Sequence, residues 1–267
     1  MPINTLDGIV AAPRQTKSFF KFGQTAKAGG TFQSTWKAAG LPSTGVTPTT
    51  TPEVCDNTTV GALFYTPSTS GLTTYLTKLS MTAQTAGCPI LYDRLVHSGG
   101  LNGTLTTDQA VNTPALTRYT DGVGVEIFLE VYTATGATAS NVTVTYTNSD
   151  GVSGRVSAST AMQVTPVIGQ MIAIPLAAGD KGVKSVQSVK LSASTGTAGN
   201  FGVTLVKRIV SVPCPLANNG QTLDPFALGL PEIQEASTSS GACLAIMVNA
   251  STTSTGTLFG EMVLSSG

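Results

Sequence analysis

The sequence predicts an all-β protein: an antiparallel, jelly-roll-like β-sandwich preceded by an extended N-terminal arm. Three observations point there. Apolar and polar residues alternate with period two in several segments, clusters of Gly, Ser, Thr and Asn separate those segments, and no stretch sustains a 3.6-residue period. Apolar residues make up 41% of 267, enough to bury a core, while charged residues are only 10%, against the roughly 25% usual in soluble proteins. With a formal net charge of zero, the surface is left to hydroxyls and small side chains. Little self-repulsion then keeps copies apart, a composition suited to a chain packed against others.

In chain order, residues 1–52 read as an extended arm ending in a Pro/Thr-rich linker, and 53–267 as the sandwich body. Five cations and no acid lie between Asp7 and Glu53, whereas nine cations and thirteen acids follow from Glu53 onward. "GLPSTGVTPTTTPEV", with Pro42, Pro48 and Pro52, marks the boundary as extended linker. The arm holds Arg14, Lys17, Phe19, Phe20, Lys21, Phe22, Phe32 and Trp36, a mixture of cations and rings suited to binding a partner subunit. Four of those rings, at ~150–250 Å² each and ~25 cal/mol per Å², would contribute on the order of 10 kcal/mol before ordering entropy is subtracted. The opposing expectation is that the arm merely adds an edge strand to its own body.

In the body, "VEIFLEVY" places Val125, Ile127, Leu129 and Val131 on one face and Glu126, Phe128, Glu130 and Tyr132 on the other. "NVTVTYT" does the same, with Val142, Val144 and Tyr146 facing inward. The turn-forming "TATGATAS" between them predicts a hairpin over 124–147, and Asp150–Gly151 a turn into a third strand. Further strands are expected at "GALFYT", "TTYLTKLSMT", "CPILYDRLV", "GQMIAIPL", "SVQSVKLSAS", "FGVTLVKRIVSV", "ACLAIMVNAS" and "TLFGEMVLS". "ACLAIMV" lacks alternation, as a strand buried on both faces would. At most a helical turn is expected, near "DPFALGLPEI".

Residues that carry chemistry are sparse. His97 is the only histidine, and Ser98 beside it has no G-x-S-x-G elbow, so a triad with Asp93 is not expected. Glu126 and Glu130 are four apart on a strand, about 13 Å, beyond a glycosidase pair, and read as a solvated outer face. No metal-ligand spacing occurs, and the Gly-rich "STGTAGNFG" precedes a strand, so it reads as a hairpin loop. Cys55, Cys88, Cys214 and Cys243 form no C-x-x-C pair and are expected as buried free thiols. "MPINTLDGIVAAPRQ" has no long apolar core and no run of ~20 apolar residues follows, so neither secretion nor a membrane partner is expected. The modest basic track of the arm is not matched in the body, so no nucleic-acid partner is expected. The chain is expected to be a non-enzyme without cofactor.

Four motifs carry a resemblance: D-R-L-x-H at Asp93–His97, "TATGA" at Thr133–Ala137, Y-T-N-x-x-G-x-x-G-R at Tyr146–Arg155, and A-G-D-x-G-V-x-S-V-Q-S at Ala178–Ser188. Over roughly 60–210 the chain resembles a group of tailed-bacteriophage virion structural proteins. The resemblance implies a capsid decoration, cement or minor capsid protein, or else a tail or neck component, assembled in the host cytoplasm into the virion. It implies the major capsid protein or other virion subunits as partners, with homo-oligomers, and no catalytic residue. A host-glycan-binding module is the alternative of a different class.

Overall fold

The computed structural model describes residues 3, 5–69, 71–224, 226–237 and 239–267. Its middle layer is a sheet that closes on itself. Six strands form the ring: β2 (Phe32–Ser34), β6 (Gly87–His97), β8 (Val125–Thr133), β12 (Gln170–Ile174), β14 (Asn200–Ser211) and β17 (Leu244–Ala250). They pair in the order β14, β8, β12, β2, β17, β6, and β6 pairs again with β14. β4 (Glu53–Val54) continues the edge of β6 beyond β17. Closure removes the free edges that an open sheet would expose.

A five-stranded sheet covers one side of this barrel: β9 (Ser140–Asn148), β13 (Val183–Leu191), β7 (Gln109–Ala110), β10 (Arg155–Val156) and β11 (Thr160–Met162). A six-stranded sheet covers another: β1 (Arg14–Lys21), β3 (Gly40–Leu41), β5 (Thr74–Ala83), β15 (Gly220–Leu223), β16 (Glu232–Ile233) and β18 (Leu258–Ser266). The all-β antiparallel class expected from the alternation is what forms. The sandwich interface occurs twice, once on each side of the barrel.

Each interface has its own apolar core. Leu129, Val203 and Leu205 of the barrel meet Val144, Tyr146 and Val189 of the first sheet. Leu91, Ile246 and Val248 meet Phe19, Leu79, Met81 and Met262 of the second. A third cluster, with Ile90, Tyr92, Phe128, Met171 and Met247, fills the barrel and includes Trp36. Alternation in the barrel strands therefore separates two interiors, not core from solvent. This overturns the expected solvated face of β8: Phe128 and Glu130 are fully buried, and only Glu126 is half-buried. Nor is 124–147 a hairpin, because β8 lies in the barrel and β9 in the covering sheet. "STGTAGNFG" likewise carries the chain between layers, from β13 to β14. The turn at Asp150–Gly151 does return the chain as expected, pairing Arg155 with Tyr146.

The arm is the largest correction. Its residues are strands of the body: β1 pairs along its whole length with β18, and β2 sits between β12 and β17. The boundary at 52/53 is thus crossed by strand pairing in two sheets. Apolar side chains at Phe19, Phe32 and Trp36 find their burial in the same chain, which outweighs any extended arrangement. The linker is laid against the barrel, where Trp36 Nε1 donates to Val46 O at 2.8 Å and Gly99 N to Thr49 O at 2.7 Å. A side chain at Gly45 would overlap the Trp36 ring, so glycine is required there. "GALFYT" forms no strand. Helix occurs at α1 (Leu6–Ala11), capped by the Thr5 side chain, and 226–229 is only a turn; Pro225 of the expected helical turn lies outside the described residues. No helix among the described residues is long and apolar enough to cross a membrane.

Candidate functional site

The D-R-L-x-H segment lies on β6, whose alternation turns Tyr92 and Arg94 into the barrel. Arg94 is fully buried, with Nη2 2.6 Å from Glu130 Oε2. The same guanidinium donates to Tyr132 Oη at 2.9 Å and, through Nε, to His97 Nδ1 at 3.0 Å. Thr204 Oγ1 and Tyr132 Oη both donate to Glu130 Oε2, at 2.9 and 3.1 Å. The Trp36 ring lies 4.4 Å from the Arg94 guanidinium and meets His97 edge-on. Burial alone would raise the Glu130 carboxyl, but the Arg94 charge and the donors around it hold it below its ordinary value.

A second buried pair stands on the neighbouring position. Asp93 accepts from Arg118 Nε at 2.7 Å and Nη2 at 2.9 Å, and from the Cys243 amide at 2.9 Å. Arg118 also donates to Cys55 O at 2.8 Å, joining the loop before β8 to the end of β4. Cys55 and Cys243 are both buried in the barrel cluster, and all four cysteines are free thiols, with Cys88 partly exposed. The groups with acid, base or nucleophilic capacity are therefore gathered, but enclosed: Asp93, Arg94, Glu130, Cys55 and Cys243 have no exposed surface and His97 has 1%. Among the described residues no cluster of three or more His, Cys, Asp and Glu is placed to hold a metal.

The eight residues expected to form a partner-binding arm are distributed over three environments. Phe32 and Trp36 belong to the barrel, where Phe32 packs edge-on against Phe128. Phe19 is buried beneath the β1 sheet, and Lys21 is buried with Nζ donating to the carbonyls of Ala38, Pro42 and Ser43. Burial lowers the Lys21 ammonium to about 8. Arg14, Lys17, Phe20 and Phe22 remain at the surface. There Phe20 packs against Phe22 and Phe259, with centroids 4.7 and 5.1 Å apart, and Phe22, Phe259, Leu41 and Phe64 are exposed.

Glu130, Tyr132, Arg118 and Phe259 escaped the sequence reading. For Glu130 the signal was present: a glutamate between Leu129 and Val131 in a strand of bulky residues, with Arg94 inside a recurring motif.

No protein-family model matches the chain, and no curated protein matches it. Solved structures with some likeness include CtCBM11, at 10% identity over 60% of this chain and 96% of that one, with a TM-score of 0.24. The VP2 subviral particle of infectious bursal disease virus shares 10% identity over 95% of this chain and 80% of that one, at a TM-score of 0.19. A Clostridium thermocellum xylanase 10B fragment, CBM22-1–GH10, shares 15% over 52% of this chain and 26% of that one, also at 0.19. Likenesses this slight carry no argument about this chain.

Proposed function

We propose that the chain is a non-enzymatic structural protein of a bacteriophage virion, a capsid decoration, cement or minor capsid component that binds neighbouring subunits and forms homo-oligomers. One observation carries the reading: Asp93, Arg94, His97, Arg118, Glu130, Cys55 and Cys243 are all buried, while the surface offers exposed rings and aliphatic side chains. Phe20, Phe22 and Phe259 form one aromatic cluster at the surface, and Leu41 and Phe64 border a groove beside Lys17; both suit contact with a partner rather than a reaction. The resemblance over roughly 60–210 points the same way, since Asp93, Arg94 and His97 of its first motif hold the barrel together. A tail or neck component shares this logic and differs in copy number. The test compares particles assembled with and without the chain: a cement protein raises the temperature at which heads release DNA. Unchanged release with the chain bound would remove the cement role, and absence from purified particles would remove the virion reading.

A second reading has its own observation. Ser80, Thr82, Gln221, Thr222 and Glu261 line an open groove of about 350 Å³ beside Phe259, on the outer face of the β18 sheet. Hydroxyls, an amide and a carboxylate next to an exposed ring suit a saccharide. Host cells that bind the isolated wild-type chain, and fail to bind a Phe259→Ser, Glu261→Ala variant, would favour a glycan-binding module.

A further inference from the structure

Resting on the assembly reading, we propose that the open edge of β1 is a docking slot for an extended acidic segment of a neighbouring virion subunit, which joins the sheet as an added strand. The register decides which backbone groups face the slot. Ser266 N donates to Pro13 O, and Phe22 N to Ala39 O. In the antiparallel ladder with β18, residues 15, 17, 19 and 21 therefore turn their N–H and C=O toward β18, and 14, 16, 18 and 20 turn theirs to the opposite edge. β3 covers that edge at Phe20 and Lys21 only, and Pro42, which has no N–H, follows it. Thr16 and Ser18 are left with backbone donors and acceptors that have no backbone partner among the described residues, and both are exposed.

Beside this edge runs a groove of about 300 Å³ bordered by Thr16, Lys17, Ser18, Leu41, Leu63 and Phe64. Leu41 and Phe64 are exposed within it. Gln15 spans the gap beyond Lys17, donating to Thr66 O at 2.6 Å and accepting from Thr66 N at 2.8 Å. The opening between Leu41 and Gln15 takes a strand of about three to four residues at ~3.3 Å each. Its backbone would pair with Thr16 and Ser18 while an apolar side chain contacts Leu63 and Phe64, the usual division of labour in strand addition.

Charge selects the occupant. Lys17 Nζ lies 5.6 Å from the Phe64 ring centroid, Arg14 is exposed at the open end, and no Asp or Glu borders the groove. Self-pairing of a second copy with Thr16 opposite Ser18 is disfavoured, because it would set the two Lys17 side chains directly opposite each other. An acidic segment meets these cations instead.

The test uses the full chain and two capped, fluorescently labelled peptides, Asp-Val-Thr-Val-Asp and Lys-Val-Thr-Val-Lys, read by anisotropy. The acidic peptide binds saturably and the basic one does not. Thr16→Pro removes a donor that faces only the open edge and weakens the acidic peptide by about fivefold to tenfold, with an unchanged melting temperature. Lys17→Glu reverses the preference between the peptides. Should Thr16→Pro disturb folding, hydrogen exchange on the wild-type chain decides: the Thr16 and Ser18 amides slow when acidic peptide is added. Equal binding of both peptides, no binding of either, or amides that do not respond would overturn the slot. So would a wild-type dimer held by this edge. A chain absent from virions that still discriminates the peptides would overturn the assembly reading alone.

Discussion

The two interfaces that clamp the barrel are built mainly from aliphatic and aromatic side chains, whereas the apolar filling of the barrel encloses the Arg94–Glu130 ion pair. Outside, Leu129, Leu205, Leu91 and Ile246 pack on Val144, Val189, Leu79 and Met262. Inside, Arg94 Nη2 and Glu130 Oε2 sit 2.6 Å apart, and Arg94 Nη1 and Glu130 Oε1 have no hydrogen-bond partner among the described residues. The difference separates stability from specificity. Apolar area supplies the driving force and tolerates many arrangements, while a buried ion pair roughly cancels its own desolvation and penalises any register that breaks it. The six-strand closure is the feature that needs such a device. β2 reaches its neighbours through very short ladders, two residues on β12 and three on β17.

Glu130 is the most sensitive position of the barrel interior. Glu130→Gln leaves the Arg94 cation without its counter-charge and destabilises the fold by about 3–5 kcal/mol, measured by urea unfolding. The double variant Arg94→Met, Glu130→Leu loses less than Glu130→Gln alone, because no buried charge is stranded. A double variant as damaged as the single one would show that the pair carries net stability, contrary to this account. Leu205→Ala, on the outer face of the same barrel, costs about 2–5 kcal/mol through lost burial and a cavity, with no comparable rescue by a second substitution.

Lys21 sharpens the contrast at lower energy, since its charge is buried against three carbonyls with no acid. Burial lowers its pKa from 10.5 to about 8. Between those values the unfolded chain holds a proton that the folded chain has released, so stability rises as pH rises through that window. Scanning calorimetry across it finds an increase in melting temperature for the wild-type chain that Lys21→Met flattens. The smallest effect falls on the contact surface: Phe22→Ser changes unfolding free energy by less than about 0.5 kcal/mol, because its ring is already exposed.

Strand positions were legible because alternation marks them whichever interior they face. β5, β6, β14, β17 and β18 form close to where the pattern places them. What alternation does not carry is the identity of the second face. Glu130 and Tyr132 follow the same period as a solvated strand would, and only the ring closure of β6 onto β14 turns them inward. The N-terminal segment departs from expectation for a related reason. Cations, glycines and prolines in 14–52 suggested an extended tether, but their partners lie far along the chain, Val263 opposite Thr16 and Val248 opposite Gln33. Long-range pairing of this kind leaves no local signature. Of the expected partner-binding residues, those at the surface, Arg14, Lys17, Phe20 and Phe22, lie on or beside the open strand edge. The motif around His97 was visible, and its role as the ionic centre of a barrel was not.

The proposed role as a virion structural subunit is tested by quantitative mass spectrometry of purified particles, normalised to the major capsid protein. A decoration or cement protein appears at a copy number comparable to that of the shell subunit and remains through repeated density-gradient purification. A few copies per particle would move it to the neck or tail, and absence from the particle would contradict the account.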